Sequence, residues 1–162
     1  MSYSKPIPFK YIDKITLKDF KGYRKPFETL YGEKGFAFIT TTLDYTINEN
    51  QLEVNALFHP SRSYTYNDRF DRLLLKHELY HFRITEVFAR KCRMALAQEK
   101  MPSVENIEKC LAQFNLSENE MQQQYDRESF HGYLMKDQIR WEKRIDSLLV
   151  LTKEYEETKI TY

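Results

Sequence analysis

The most constraining feature of this sequence is a long stretch, residues 68–98, in which apolar and half-apolar side chains recur every three or four residues. That spacing places them on one face of an α-helix. No glycine or proline interrupts the stretch before Pro102, and Asn67 or Asp68 is a suitable N-cap. The stripe consists of Phe70, Leu73, Leu74, His77, His81, Ile84, Phe88, Cys92 and Ala95. The sequence therefore predicts one long helix from Asp68 to Gln98 that is buried along this face.

The middle of this helix carries the run His77-Glu78-Leu79-Tyr80-His81, which fits the pattern H-E-x-x-H. Histidines four residues apart lie one helical turn apart, so both imidazoles can bind one zinc ion. Glu78 is turned aside and is predicted to orient a water molecule as a general base. The alternative is that both histidines are hydrogen-bonded core residues and that the pattern arose by chance. The chain has only four histidines, and two of them stand at this spacing, which favours the metal site.

A catalytic zinc ion usually has three protein ligands and leaves a fourth position for water. The metzincin pattern is excluded, because Ile84 and Val87 stand where its glycine and third histidine belong. Glu86 is rotated away from the histidine line on a straight helix. His59 ends the predicted strand before the helix, where it either points towards the helix or is an ordinary strand-end residue. His131 is the favoured third ligand, because it begins the last predicted amphipathic helix on its buried face. The alternative is that His131 only caps or packs.

Tyr125 and Asp126 precede His131 closely enough to line the same cleft. Tyr125 is predicted to donate a hydrogen bond to the oxyanion of a tetrahedral intermediate. Asp126 is predicted to hold the Nδ1–H group of a zinc histidine. The alternatives are that Asp126 caps the final helix and that Tyr125 packs against the sheet.

The first sixty residues favour a small antiparallel sheet. Ile15-Thr16-Leu17 predicts a first strand. A strand-like run from Phe36 to Ile47 is followed by a turn and by the alternating run from Leu52 to Phe58, so these two runs predict a hairpin. The segment from Leu52 to His59 is predicted to hold an extended peptide by strand addition.

The region after the long helix is predicted to be helical. Ser103 is a suitable cap for a helix that ends at Phe114, and a capping box at Ser117 predicts the start of another. The last helix carries His131, and the charged tail, Lys153 to Tyr162, is expected to fray. The prediction is one α+β domain, residues 1–162, with a small antiparallel sheet packed on the long helix and two or three further helices.

Composition restricts the partners of this chain. The 25 basic residues balance 24 acidic ones, which argues against nucleic acid or an anionic membrane as a partner. No apolar run approaches membrane-spanning length, and the first residues lack the apolar core of a signal peptide. A cytoplasmic location is therefore expected, or a secreted or periplasmic one if a signal was removed. Cys92 and Cys110 are compatible with one disulfide or with two thiols, and the oligomeric state is left open.

Several motifs carry a resemblance to a known family. They are His77-Glu78-x-x-His81-Phe82, Ala89-Arg90, Tyr125-Asp126-x-x-Ser129-x-His131-Gly132, Gln138 and Trp141, with Leu17-x-x-Phe20-x-Gly22 and Thr40-Thr41-Thr42 upstream. Together they resemble a bacterial family of predicted zinc-dependent proteases that is catalogued mainly as a domain of unknown function. The resemblance runs from Ile15 to Leu149, which is most of the chain.

The resemblance implies a zincin-like metallopeptidase in which three histidines, His77, His81 and His131, bind zinc and Glu78 is the catalytic glutamate. The chain departs from the family pattern at three positions: Leu79 and Arg83 stand where Gln and Asp are usual, and Ser129 replaces Thr. Losing an acid near the site affects how a ligand is oriented or which substrate is preferred.

The function predicted from the residues and the resemblance is hydrolysis of a peptide or protein substrate by a zinc-activated water, with Glu78 as the general base. Two other classes stay open. The first is a zinc-dependent hydrolase of a non-peptide amide, and the second is a binding or scaffold protein that keeps the fold without turnover. The intact Glu78 argues against the second, because a structural zinc site does not need a general base.

Overall fold

The computed structural model describes residues 4–24, 37–66 and 71–162. The strands in these ranges are β1 (Ile7–Pro8), β2 (Ala37–Phe38), β3 (Thr41–Asn48), β4 (Gln51–Phe58), β5 (Tyr64–Thr65) and β6 (Lys159–Thr161). The α-helices are α1 (Arg72–Ala97), α2 (Val104–Ser129) and α3 (Met135–Leu151). Short 3₁₀ turns span Phe9–Lys14, Leu17–Asp19, Pro60–Arg62 and Lys153–Tyr155. This confirms the predicted α+β class with a small antiparallel sheet.

β4 is the central strand of the main sheet. It pairs antiparallel with β3 along its whole length, and its other edge pairs with β1 and β6. The predicted hairpin is confirmed, with its turn at Glu49 and Asn50, where Glu49 has a φ of 54°. Because successive side chains of a strand point to opposite faces, β4 buries every second one, Leu52, Val54, Ala56 and Phe58.

The prediction that Leu52 to His59 holds an extended peptide is wrong, because both edges of β4 are occupied. Between β6 and β1, the Val54 N–H group donates to the Thr158 carbonyl at 3.0 Å. The Val54 carbonyl accepts two hydrogen bonds from Arg93, at 2.8 and 2.9 Å. β3 is an edge strand instead, since it pairs only with β4 among the described residues.

Helix α1 forms the centre of the molecule and confirms the long helix predicted from the apolar stripe. Asp71 caps it, because its carboxylate accepts hydrogen bonds from the N–H groups of Leu73 and Leu74, both at 3.0 Å. The predicted caps, Asn67 and Asp68, lie outside the described residues. One face of α1 packs on the sheet through Phe82, Ala89, Cys92 and Leu96. The opposite face packs on α2 and α3 through Tyr80, Ile84 and Phe88.

The stretch after Pro102 forms one helix rather than two. Ser103 caps α2 as predicted, since its hydroxyl accepts from the Asn106 N–H group at 3.2 Å. The helix then continues through Ser117, because no glycine or proline interrupts it and its buried stripe continues through Ile107, Leu111, Met121 and Tyr125. The predicted helix start at Ser117 is therefore wrong.

α2 ends at a turn of three residues with left-handed backbone. The φ angles are 50° at Phe130, 54° at His131 and 87° at Gly132. Such angles stop a right-handed helix, and α3 begins only at Met135. The prediction that His131 begins the last helix is wrong, because His131 lies in the turn that joins α2 to α3.

The structure also bears on the predictions for the first strand, the C-terminal tail, the two cysteines and membrane-spanning segments. Ile15 and Thr16 join two 3₁₀ turns, so the predicted first strand is wrong. The tail that was expected to fray contains β6, in which Ile160 stands opposite Leu52. Cys92 and Cys110 are free thiols. Among the described helices, none has both the length and the apolar character required to cross a membrane.

Candidate metal centre

Helices α1 and α2 bring three metal-ligating side chains together. His77 and His81 extend from α1, and Asp126 extends from the last turn of α2, with one ligand atom of each residue within 4.8 Å of the other two. The Asp126 Oδ1 atom lies 2.9 Å from His77 Nε2 and 2.8 Å from His81 Nε2. Both histidines are buried, and Asp126 is half-buried. The predicted histidine pair is thus joined by a carboxylate.

The opposite nitrogen of each imidazole contacts a glutamine oxygen. His77 Nδ1 lies 2.9 Å from Gln138 Oε1, and His81 Nδ1 lies 2.5 Å from Gln122 Oε1. The orientation of each amide is fixed by a group that can only accept, because Gln138 donates to Glu142 Oε1 at 3.1 Å and Gln122 donates to the His81 carbonyl at 2.9 Å. In the neutral form of each imidazole, Nδ1 therefore carries the hydrogen and Nε2 presents its lone pair.

With both imidazoles neutral, two nitrogen lone pairs and one carboxylate oxygen face each other. A half-buried cluster of this kind needs positive charge at its centre, from protons or from a metal ion. Two imidazole nitrogens and one carboxylate oxygen match the ligands of a catalytic zinc site. The donor atoms and their tautomers therefore fit a divalent metal ion.

The electrostatics of Asp126 agree with this arrangement. Burial alone would raise the pKa of Asp126. When protons rather than a metal ion supply the positive charge of the cluster, the charge of His81 and hydrogen bonds donated by three histidines hold that pKa well below its usual range. The carboxylate is therefore ionised and available as a ligand.

Glu78 lies beside the cluster as the motif predicts, and its side chain is buried. Its Oε2 atom accepts a hydrogen bond from the Ile39 N–H group at 3.0 Å, just before β3 begins. Burial raises the pKa of Glu78 to about 8, the charge of Asp126 adds to this, and His77 opposes it. A carboxyl group with a pKa near neutrality is suited to general-base chemistry.

Tyr125 lies against both histidines from the interior side. Its ring stacks on His77 at a centroid distance of 4.6 Å and an interplanar angle of 23°. The hydroxyl donates to the His77 carbonyl at 3.2 Å and also contacts Gln138. Because Tyr125 is fully buried, its contacts here position His77, and its predicted part as an oxyanion donor stays a prediction.

His131 and Gly132 cover the cluster from the α2–α3 turn. His131 Nδ1 lies 3.4 Å from Asp126 Oδ1, and 54% of the His131 side chain is exposed. Its hydrogen bond to Asp126 raises the pKa of His131. His131 thus stands next to the three clustered groups, and its place as a metal ligand stays a prediction. Gly132 packs so closely that an added Cβ would lie 3.0 Å from His77 Nδ1.

The two less favoured candidates for a third ligand have other partners. His59 Nε2 forms a 2.6 Å hydrogen bond with the Thr42 hydroxyl. Glu86 accepts hydrogen bonds from Arg90 and Arg93, both at 2.9 Å, as part of a buried ionic cluster. Neither residue belongs to the group around His77.

Gln122 is not among the residues predicted from the sequence, and Gln138 has no predicted role. Each stands one helical turn from another polar residue on its helix: Gln122 lies between Glu118 and Asp126, and Gln138 precedes Glu142. A line of polar residues at four-residue spacing on an amphipathic helix is the signal that could have found them.

Comparison of the chain with family models, with curated proteins and with solved structures gives no match. The family resemblance drawn from the sequence motifs therefore stays a prediction, and it is the geometry of the cluster that indicates a function.

Proposed function

We propose that this protein is a zinc-dependent metallopeptidase whose metal is held by His77, His81 and Asp126. The observation that supports this most is the convergence of two Nε2 atoms and one carboxylate oxygen within 4.8 Å of one another. Glutamine oxygens hold both Nδ1 atoms, which leaves each Nε2 free as a ligand. A core packing role for the histidines would not require this common orientation toward an ionised carboxylate.

The residue next to the cluster, Glu78, favours zinc-dependent hydrolysis over non-haem iron chemistry. Two histidines and a carboxylate also suit non-haem iron, but the buried Glu78 next to His77 supplies the base that a zinc hydrolase needs. A bound zinc ion would polarise the scissile carbonyl and lower the pKa of a water molecule to about 7.

In this mechanism the chain's own residues hold the metal and move one proton. Glu78 removes the proton from the attacking water and returns it to the leaving amine. The Ile39 N–H group, 3.0 Å from Glu78 Oε2, orients the carboxylate. Gln138 and Gln122 keep the two imidazoles in the tautomer that exposes Nε2.

The sheet edge next to Glu78 favours a peptide substrate. Ile39 contacts Glu78, and two residues later the Thr41 hydroxyl lies 2.7 Å from the Thr85 hydroxyl on α1. The start of β3 therefore lies beside α1, and β3 is an edge strand among the described residues. An extended peptide that pairs with such an edge would pass close to Glu78.

The test combines metal analysis with a substitution of the base. Protein purified without added metal is expected to contain zinc, and zinc-loaded protein is expected to cleave a mixture of unfolded casein peptides, with products identified by mass spectrometry. Glu78→Gln should retain zinc and lose activity by about 10²–10⁴-fold, because the amide cannot take up the proton.

The matched control is Glu120→Gln, which makes the same change at an exposed position on α2 and should leave cleavage unchanged. If wild-type protein takes up no zinc, or if Glu78→Gln cleaves the peptides as fast as wild type, the proposal is wrong.

A further inference from the structure

The amide of Gln138 decides which nitrogen of His77 is available to a metal. Its Oε1 atom accepts a hydrogen bond from the Nδ1–H group of His77 at 2.9 Å. If the amide were turned over, its NH₂ group would donate to Nδ1, and the ring hydrogen would move to Nε2. Nε2 would then point an N–H group at Asp126 and could not bind a metal.

Two side chains contact the amide nitrogen of Gln138. The Tyr125 hydroxyl lies 2.7 Å away, and Glu142 Oε1 lies 3.1 Å away. The hydroxyl does not fix the amide by itself, because its one hydrogen can go either to the His77 carbonyl, 3.2 Å away, or to the amide oxygen, which lies 3.1 Å away as Gln138 Oε1. A carboxylate only accepts. Glu142, itself held by Lys76 at 2.8 Å, is therefore the contact among the described residues that distinguishes the NH₂ group from the oxygen.

The amide beside the second histidine is fixed differently. The nitrogen of Gln122 donates to the backbone carbonyl of His81 at 2.9 Å and to Glu118 Oε1 at 3.2 Å. The carbonyl also only accepts, so it fixes this amide even without Glu118. The two histidines thus have similar glutamine partners, but only one of these glutamines depends on a carboxylate.

We infer that Glu142 is a positioning residue of the metal site, which fixes the Gln138 amide so that His77 presents Nε2 to the metal. The inference rests on the proposed metal centre. Glu142 acts through Gln138, one helical turn before it on α3, and both side chains are buried. Glu118 makes a similar contact with Gln122 but is not needed to orient it.

Zinc affinity, measured by competition with a chromophoric chelator, separates the two carboxylates. Glu142→Met should lower the affinity by about 10-fold or more, the usual effect of losing an outer-shell partner. Glu118→Met is the matched control, and its effect should be several times smaller, because the His81 carbonyl still orients Gln122.

A double variant tests whether Glu142 acts through the amide. In Gln138→Glu combined with Glu142→Gln, the carboxylate next to His77 can only accept, so the Nδ1–H tautomer is fixed again. Zinc affinity should return close to that of wild type. A residue that served only packing or surface charge would not be replaced by this exchange.

Long-range ¹H–¹⁵N spectra of the zinc-loaded protein show which ring nitrogen carries hydrogen. Wild type and the double variant should both show the hydrogen of His77 on Nδ1. Equal zinc affinity of Glu142→Met and wild type, or a double variant that does not recover, would overturn the inference and leave the proposed function standing. Wild-type protein that binds no zinc would remove the proposed function itself.

Discussion

Replacing Gly132 by alanine tests the metal centre from the side of the α2–α3 turn. A Cβ atom at this position would lie 3.0 Å from Nδ1, 3.1 Å from Cγ and 3.2 Å from Cβ of His77. Normal contacts of this kind are about 3.5–4.0 Å, so the ring would have to move by about 0.5 Å. The ring cannot simply retreat, because it is stacked on the buried Tyr125 ring.

Two effects of Gly132→Ala are therefore expected. A shift of about 0.5 Å reaches the limit within which a functional site must be held, so zinc affinity should fall by about 10–100-fold, as it does when a ligand is badly oriented. The φ of 87° also strains an alanine, which costs about 1–2 kcal/mol. In a chain of this size that corresponds to a Tm lower by about 2–8 °C in the metal-free protein.

The assay measures zinc affinity by chelator competition and Tm by calorimetry, with Gly22→Ala as the matched control. A Cβ at Gly22 would lie 2.8 Å from the Ser63 carbonyl oxygen and 3.0 Å from that of Ser61. Gly22→Ala should therefore lower Tm without changing zinc affinity. If Gly132→Ala lowers Tm but binds zinc as tightly as wild type, His77 is not the ligand that the geometry indicates.

Three further predictions concern the ligand set and the helix that carries it. Asp126→Asn should lower zinc affinity by more than about 100-fold, whereas His131→Ala should stay within about 10-fold; the reverse order in chelator competition would make His131 the third ligand. Glu86→Ala should keep zinc but lower the free energy of unfolding by about 3–5 kcal/mol in urea, because the buried Arg93 loses its carboxylate and Arg90 keeps only a 3.9 Å contact with the exposed Glu156. Asp71→Ala should lower that free energy by about 0.5–2 kcal/mol through loss of the α1 cap, and an unchanged urea midpoint would contradict the cap.

The part of the site that could be predicted from the sequence lies within one helix. His77, Glu78 and His81 are placed by the 3.6-residue period alone, and the apolar stripe that predicts α1 also predicts that the histidines are buried. The hairpin of β3 and β4 was equally accessible, because its alternation and its turn are local. Local patterns of this kind do not depend on how the elements pack.

The third member of the cluster could not be found in this way. His131 was predicted to begin a helix, but it lies in a turn of three residues with left-handed backbone. No local pattern before Gly132 predicts this turn. Asp126 was noticed only as a partner of a ligand, because its approach to His77 depends on how α1 and α2 cross. The helix predicted from Ser117 already placed Glu118, Gln122 and Asp126 on one line, but no local pattern shows which residues of α1 that line contacts.

That line explains why the cluster forms where it does. The polar residues of α1 at positions 77, 81 and 85 and those of α2 at positions 126, 122 and 118 repeat every four residues in opposite directions. The histidines contact Asp126 and Gln122, and the Thr85 hydroxyl donates to Glu118 at 2.6 Å. Two antiparallel helices with this spacing pair their polar residues turn by turn, provided that both helices are continuous. The part of α2 that this pairing needs runs from Glu118 to Asp126, and its continuity brings Asp126 to the histidines.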